Sequence, residues 1–304
     1  MKTLVSELSQ AGIPLEQDCP LSAYSTFRIG GPARLALFPE TREQMLLSLA
    51  LIERAGIPLW VIGNGSNVLF PDEGLDGAVL FTGRWREITV EGDTLRASAG
   101  VPLSALAKRA QEESLGALAF AHGIPGTLGG AVLMNAGAYG GCMEQVVVSS
   151  SYYDRASGEI RTLCGEEHGF GVRKSVYQTL PSAVILEATL RLEKGDPEEI
   201  LAQMRELAAK RRSTQPLEFP SAGSVFKRPV GHYAGKLIED CGLKGFAIGG
   251  AQVSEKHAGF IINRGGATAK DVRALVSHVQ ECVRREFGVE LEREIRFLSA
   301  LLNE

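Results

Sequence analysis

The chain is poor in the residues that build covalent or metal-stapled folds. Its five cysteines, at 19, 142, 164, 241 and 282, are odd in number and include no C-x-x-C pair. Neither a disulfide framework nor a zinc site is suggested, and the five histidines, at 122, 168, 232, 257 and 278, show no ligand spacing either. No metal is expected. Long apolar runs are also missing: none approaches the roughly 20 residues of a membrane span, and the opening MKTLVSELSQAG lacks the apolar centre of a signal peptide. A cytoplasmic location without a membrane partner is therefore expected. Charge is balanced, with 32 Lys and Arg against 36 Asp and Glu and a net charge of −4. The cations are spread along the chain, and the one short run, Lys210-Arg211-Arg212, reads as a helix terminus rather than a grip on nucleic acid. Nucleic acid is not an expected partner.

Glycine is what the chain has in concentration. Between Gly123 and Gly141, GIPGTLGGAVLMNAGAYGG, seven of nineteen residues are glycine and none is charged, against an average usage of roughly 7 %. The stretch lies mid-chain between patterned segments, which argues for a packed loop rather than a linker. Glycine allows positive φ and lets backbone amides approach a ligand closely, and a pyrophosphate is the usual ligand for such amides. An earlier segment, LWVIGNGSNVLF from Leu59 to Phe70, repeats the theme with an apolar strand running into Gly63-Asn64-Gly65-Ser66-Asn67. Two such loops point to one large phosphate-bearing cofactor. They are not a dinucleotide fingerprint of the G-x-G-x-x-G type, because Val68 stands at the third glycine and Pro71, Gly74 and Gly77 cannot carry the helix that must follow. Nor is there a P-loop: Gly231 to Lys236 is one residue short and lacks the following hydroxyl, which leaves a turn entering a helix.

The rest of the chain reads as alternating helices and strands, an α+β pattern in two or three domains for 304 residues. Thr41 to Gln44 has the form of a capping box before Met45, Leu46, Leu49 and Ile52, with Gly56 and Pro58 ending the helix. Pro102 opens a second helix through Leu103, Leu106, Ala107 and Ala110. Val146 to Asp154 and Ala183 to Leu192 read as strands of a mixed sheet around a turn at Ser157-Gly158. A domain boundary is expected at Lys194 to Pro197, where Asp196 can cap a helix running to about Arg212. A long helix follows from Thr268, with Asp271 as box partner and Val272, Leu275, Val276, Val279 and Val283 on one face.

Six collinear segments carry a resemblance: YSTFRIGGPA (Tyr24 to Ala33), GNGSNVLF (Gly63 to Phe70), the glycine loop itself, GSVFKRP (Gly223 to Pro229), KHAGFIIN (Lys256 to Asn263) and FGVELEREIRF (Phe287 to Phe297). Together they resemble the UDP-N-acetylenolpyruvoylglucosamine reductase family, flavoenzymes that complete UDP-N-acetylmuramic acid for bacterial cell walls. The resemblance implies an FAD-binding domain of the vanillyl-alcohol-oxidase type, built of two α+β subdomains over residues 1–195, and a smaller α+β substrate-binding domain over 196–304. It implies non-covalent FAD, with NADPH as hydride donor leaving before the sugar nucleotide enters. His122 is then an ordinary loop histidine rather than a point of covalent attachment. The short segment between Arg173 and Ala183 resembles the subtype that lacks a tyrosine-bearing loop over the substrate.

The resemblance places the chemistry on Arg173, Ser224 and Glu294. Hydride addition to an enolpyruvyl ether leaves negative charge that spreads from C2 into the carboxylate, and C2 must then receive a proton. Arg173 would supply fixed positive charge in planar geometry. Glu294, buried and protonated, would hydrogen-bond the same developing charge, and Ser224 would be the general acid. Singly each has an ordinary reading too, as a surface cation, a turn residue beside Gly223, and one charge among Glu290, Glu292 and Arg293. Strand alternation alone does not separate Glu292 from Glu294; the family's L-E-x-E motif selects the second. For the cofactor, the resemblance implicates Gly63, Asn64, Gly65, Ser66, Asn67, Gly126, Thr127, Gly129, Gly130, Asn135 and Gly137. For the substrate diphosphate it implicates Lys227, Arg228 and Lys256, of which Arg228 departs from an asparagine found in some members.

Overall fold

The computed structural model describes residues 1–299, which fall into two compact units whose segments interleave along the chain. The first comprises Met1–Gln17, Leu35–Asn64 and Gly77–Lys210; the second comprises Asp18–Arg34, Gly65–Asp76 and the described residues from Arg211 onward. Both mix helix and strand, as expected. The division differs from the boundary expected at residue 195, for two physical reasons. Helix Pro197–Thr214 sinks Ile200 and Met204 into the apolar core of the first unit, although Asp196 does cap it, accepting from the amides of Glu198 and Glu199 at 2.8 and 3.1 Å. Phe27, Ile29 and Leu69 belong to the core of the second unit, so two early segments join the C-terminal part.

A four-stranded sheet has the order Leu15–Pro20, Pro32–Leu37, Leu75–Phe81, Leu59–Ile62. The last two strands run parallel. Leu35, Leu37, Ala78 and Leu80 pack with Leu4 and Leu8 of helix Lys2–Gln10 and Met45, Leu49 and Ile52 of helix Arg42–Ala55. The Thr41 hydroxyl accepts the Gln44 amide at 3.2 Å, but the Gln44 side chain reaches the amide of Glu40 rather than Thr41, so only half of the expected box forms. Gly56, at φ +63°, ends the helix. A five-stranded sheet follows in the order Glu159–Cys164, Val147–Asp154, Ala183–Arg191, Thr94–Ser98, Ile88–Glu91. Every pair in it is antiparallel, where a mixed sheet was expected. The turn at Ser157-Gly158 leads into Glu159–Cys164, and Ala183–Arg191 pairs along the other edge of Val147–Asp154. Helices Leu103–Glu112 and Leu128–Met134 share one apolar core with this sheet.

In the second unit, helix Ala269–Phe287 is set by its N-terminus. Thr268 and Asp271 complete the expected box at 3.0 Å in both directions, while Asp72 accepts the amides of Ala269 and Lys270 at 2.7 and 3.0 Å. The Asp271 carboxyl is held below the usual range, first by the Thr268 amide. Val272, Leu275, Val276, Val279 and Val283 line the buried face against helix Ala234–Asp240 and the sheet Ala247–Ile248, Ala251–Val253, Ile261–Asn263. Among the described residues no helix is long and apolar enough to cross a membrane.

Candidate active site

The glycine loops behave differently at each position. In the first unit the strand Leu59–Ile62 delivers Gly63 and Asn64 against the loop before helix Leu128–Met134. The Asn64 side-chain amide donates to Pro125 O at 2.7 Å, and a Cβ on Gly63 would lie 2.2 Å from Thr127 Oγ1. The two glycine-rich segments are thus brought together there. The start of the helix is braced on main chain: Leu128 N donates to Val101 O and Gly129 N to Ala99 O, both at 2.9 Å. A Cβ on Gly129 would stand 2.8 Å from Ala99 Cβ, whereas one on Gly130 would meet nothing nearer than 3.8 Å. Gly129 is thus closely packed against Ala99, whereas Gly130 keeps open space at its surface. Thr127, only 3 % exposed, has a hydroxyl with no protein partner, and buried His122 Nδ1 has none either. Unpartnered buried polar atoms beside open glycine backbone fit a bound polar ligand of dinucleotide type.

Asn135 and Gly137, from the same glycine-rich segment, also have partners within the protein. Asn135, in left-handed conformation at φ +42°, donates to Gly171 O at 2.9 Å and accepts from Glu144 N at 2.9 Å. Gly137 presents its carbonyl to Arg173 Nη2 at 3.2 Å, and its missing Cβ leaves room for Gly141 O and Cys142. Both residues serve the turn that carries Arg173. That turn, Gly171–Lys174, is closed by two reciprocal backbone hydrogen bonds of 3.1 Å and puts Arg173 at φ +54°. Gln178 Nε2 donates to Arg173 O at 3.0 Å.

In the second unit the segment from Ser224 to Lys227 runs between two others. Ser224 bridges Phe260, Val225 N donates to Gly259 O at 2.9 Å, and Lys227 N donates to Glu292 O at 2.9 Å. Glu294 N donates to Val225 O at 2.8 Å, and Ile295 N shares that carbonyl at 3.5 Å. Two residues opposite one is the pattern of a bulge, which re-aims side chains. The structure therefore brings Ser224 and Glu294 to neighbouring positions on paired segments, both half-buried. It also separates the two glutamates that alternation could not: Glu292 is exposed and pairs with Lys227.

The remaining loop residues lie in the same unit. Gly65, at φ +59°, accepts the Thr26 amide at 3.2 Å and has no room for a Cβ against Tyr24 O; Asn67 donates to Glu294 O at 3.2 Å. Of the expected diphosphate cations, Lys227 faces Glu292 and Lys256 reaches Arg212 O at 2.7 Å and Glu218 at 3.7 Å. Arg228 lies 3.9 Å over the ring of Tyr233, itself largely exposed. Burial lowers the His257 pKa, and its Nδ1 accepts the Gly259 amide at 3.1 Å.

Comparison with known proteins agrees with this architecture. Residues 33–163 match the family described as FAD binding domain, so the class is that of an α+β flavin-dependent oxidoreductase. Residues 215–298 match the C-terminal domain of UDP-N-acetylenolpyruvoylglucosamine reductase. The chain is 47% identical over 281 residues to the enzyme of that name from Clostridium perfringens, covering 92% of each chain. It is 46% identical over 279 residues to that of Caldanaerobacter subterraneus, again over 92% of each. The crystal structure of UDP-N-acetylenolpyruvylglucosamine reductase from Thermus caldophilus superposes with a TM-score of 0.79 at 37% identity, over 94% of this chain and 99% of that one. The chain belongs to the UDP-N-acetylenolpyruvoylglucosamine reductase family.

Proposed function

We propose that Arg173, Ser224 and Glu294 divide the work of reducing an enolpyruvyl ether, with Arg173 and Glu294 stabilising the charge and Ser224 delivering the proton. The reaction is that of the family: the enolpyruvyl group of UDP-N-acetylglucosamine enolpyruvate is reduced to give UDP-N-acetylmuramate for peptidoglycan synthesis, with NADPH as reductant. FAD, when bound, supplies the hydride-transfer chemistry. Thr127, Gly130, Gly63 and Asn64 are the residues we assign to holding it, with Gly65, Ser66, Asn67 and Gly126 completing the loops.

The observation that carries the reading is the main-chain pairing of Glu294 with the residue after Ser224. A guanidinium complements a carboxylate that gains charge, and a neutral carboxyl can donate to the same charge. A serine hydroxyl is a weak acid, yet the C2 carbanion is basic enough to take its proton. Lys227, Arg228 and Lys256 supply cations for the diphosphate, each exchanging its present partner for phosphate oxygens. Flavin contacts fall within 1–195 and diphosphate contacts within 196–304, a functional division that the matches at 33–163 and 215–298 support. The partners of this reading are small molecules, and its setting is the cytoplasm.

Separating the two half-reactions tests the assignment. In Ser224→Ala, NADPH should still bleach the flavin absorbance at the parent rate, while reoxidation by the enolpyruvyl substrate should slow on the order of 10²-fold or more. Equal slowing of both would remove Ser224 from the acid role.

A further inference from the structure

The turn that carries Arg173 has a buried polar system beneath it that the reaction itself does not use. His168 Nδ1 lies 2.9 Å from Gly165 O. A carbonyl only accepts, so Nδ1 carries a proton, and in the tautomer with its single proton there Nε2 accepts from Ser150 Oγ at 2.7 Å. The Ser150 oxygen then accepts the Tyr177 hydroxyl, also at 2.7 Å. In that tautomer each donor is spent on a different acceptor, and the chain runs from tyrosine to serine to histidine to carbonyl. His168 is fully buried, Ser150 1 % and Tyr177 5 % exposed, so the three exchange hydrogen bonds with one another away from bulk solvent. Burial pushes the Tyr177 hydroxyl up to about 12, so it stays a donor.

We propose that Ser150, His168 and Tyr177 are positioning residues that clamp both flanks of the Arg173 turn and so set the guanidinium for the substrate step. His168 precedes Arg173 by five residues and Tyr177 follows it by four, and both end on one serine in the strand Val147–Asp154. That strand has partners on both sides in the five-stranded sheet, so the anchor is rigid. Between the flanks, Phe170 stacks on His168 with ring centres 4.8 Å apart, and Ser175 Oγ donates to Leu133 O at 2.7 Å. A non-glycine residue in the left-handed region persists only where its surroundings over-determine it. Arg173 is such a residue, and the chain of three supplies the constraint at either end. All three are buried, so they act through Arg173 and not on substrate.

The inference rests on Arg173 acting on the substrate, and the test separates the two. Tyr177→Phe keeps the ring and deletes the hydroxyl; Ser150→Ala deletes the shared atom. In both, flavin content and flavin reduction by NADPH should match the parent, the substrate step should slow on the order of tenfold in kcat with little change in KM, and amide exchange at Gly171 and Lys174 should quicken on the order of tenfold. Combined with Arg173→Ala, Tyr177→Phe should cost nothing more. Unchanged exchange and turnover in both variants, with Arg173→Ala crippled, would overturn the proposal alone. Uniform loss of flavin, melting temperature and both half-reactions would reduce the trio to packing and overturn it too. An Arg173→Ala enzyme of normal activity would instead overturn the role of Arg173, and the exchange rates would then decide whether the trio fixes the turn.

Discussion

Glu294 and Ser224 owe their places to main-chain pairing, through Val225 and its neighbours, whereas Arg173 stands on a four-residue turn that closes on itself by backbone hydrogen bonds and is fastened to its surroundings by side chains. Backbone pairing survives most substitutions, because every residue but proline carries the same donor and acceptor. The side-chain bonds that fasten the turn, from Asn135 and Gln178, have no such redundancy. Chemistry on the paired segments should therefore be lost by changing the reacting side chain itself, and chemistry on the turn by changing residues that never meet the substrate.

The largest disturbance removes the pairing altogether. A chain ending at Gly195 loses Ile200 and Met204 from one core and leaves Phe27, Ile29 and Leu69 without the partners of the other. We expect no cooperative melting transition and no flavin retention; a folded yellow fragment in circular dichroism and absorbance would contradict the interleaved units. Next in size is Glu294→Ala, which should slow the substrate step on the order of 10²-fold. Glu294→Gln should keep much of the activity, since the amide can still donate. Stopped-flow rates showing Gln as harmful as Ala, with the fold intact, would replace the neutral donor by a residue that exchanges a proton.

The glycine pair sharpens the comparison at smaller cost. Gly129→Val should lower the melting temperature by several degrees, because its side chain meets Ala99. Gly130→Val should fold normally yet bind FAD weakly, and flavin titration beside a thermal melt separates the two. Equal behaviour would deny that one glycine packs and the other faces ligand. The smallest effect is electrostatic. Tyr177 titrates near 10.0 when unfolded and about 12 when folded, so the folded state holds its proton longer and stability falls as pH rises between those values. Tyr177→Phe should show a shallower loss in denaturant titrations across that window, and an identical slope would mean the hydroxyl is not buried as described.

Local signals were legible in the amino-acid order. The Thr268–Asp271 box, the Asp196 cap and the apolar face from Val272 to Val283 sit where short-range rules put them, and six motifs sufficed for the family. What escaped was non-local. The strand Glu159–Cys164 is exposed along nearly its whole length, so it has no alternation to read. Asn135 and Gly137 bind the Arg173 turn, and nothing within a few residues of either announces that turn. Ser150, His168 and Tyr177 are separated by up to 27 residues. Their relation exists only once the sheet has formed.

The interleaving of the two units also sets an order on synthesis. Asn263 donates to Phe27 O across 236 positions, and Asn67 to Glu294 O across 227. On a ribosome adding about 5–20 residues per second, Asp18 to Arg34 must wait roughly ten seconds to a minute before the residues that bury Phe27 and Ile29 have been made. During that interval the nascent chain exposes apolar surface whose partners do not yet exist, and a chaperone that shelters early segments has most to offer then.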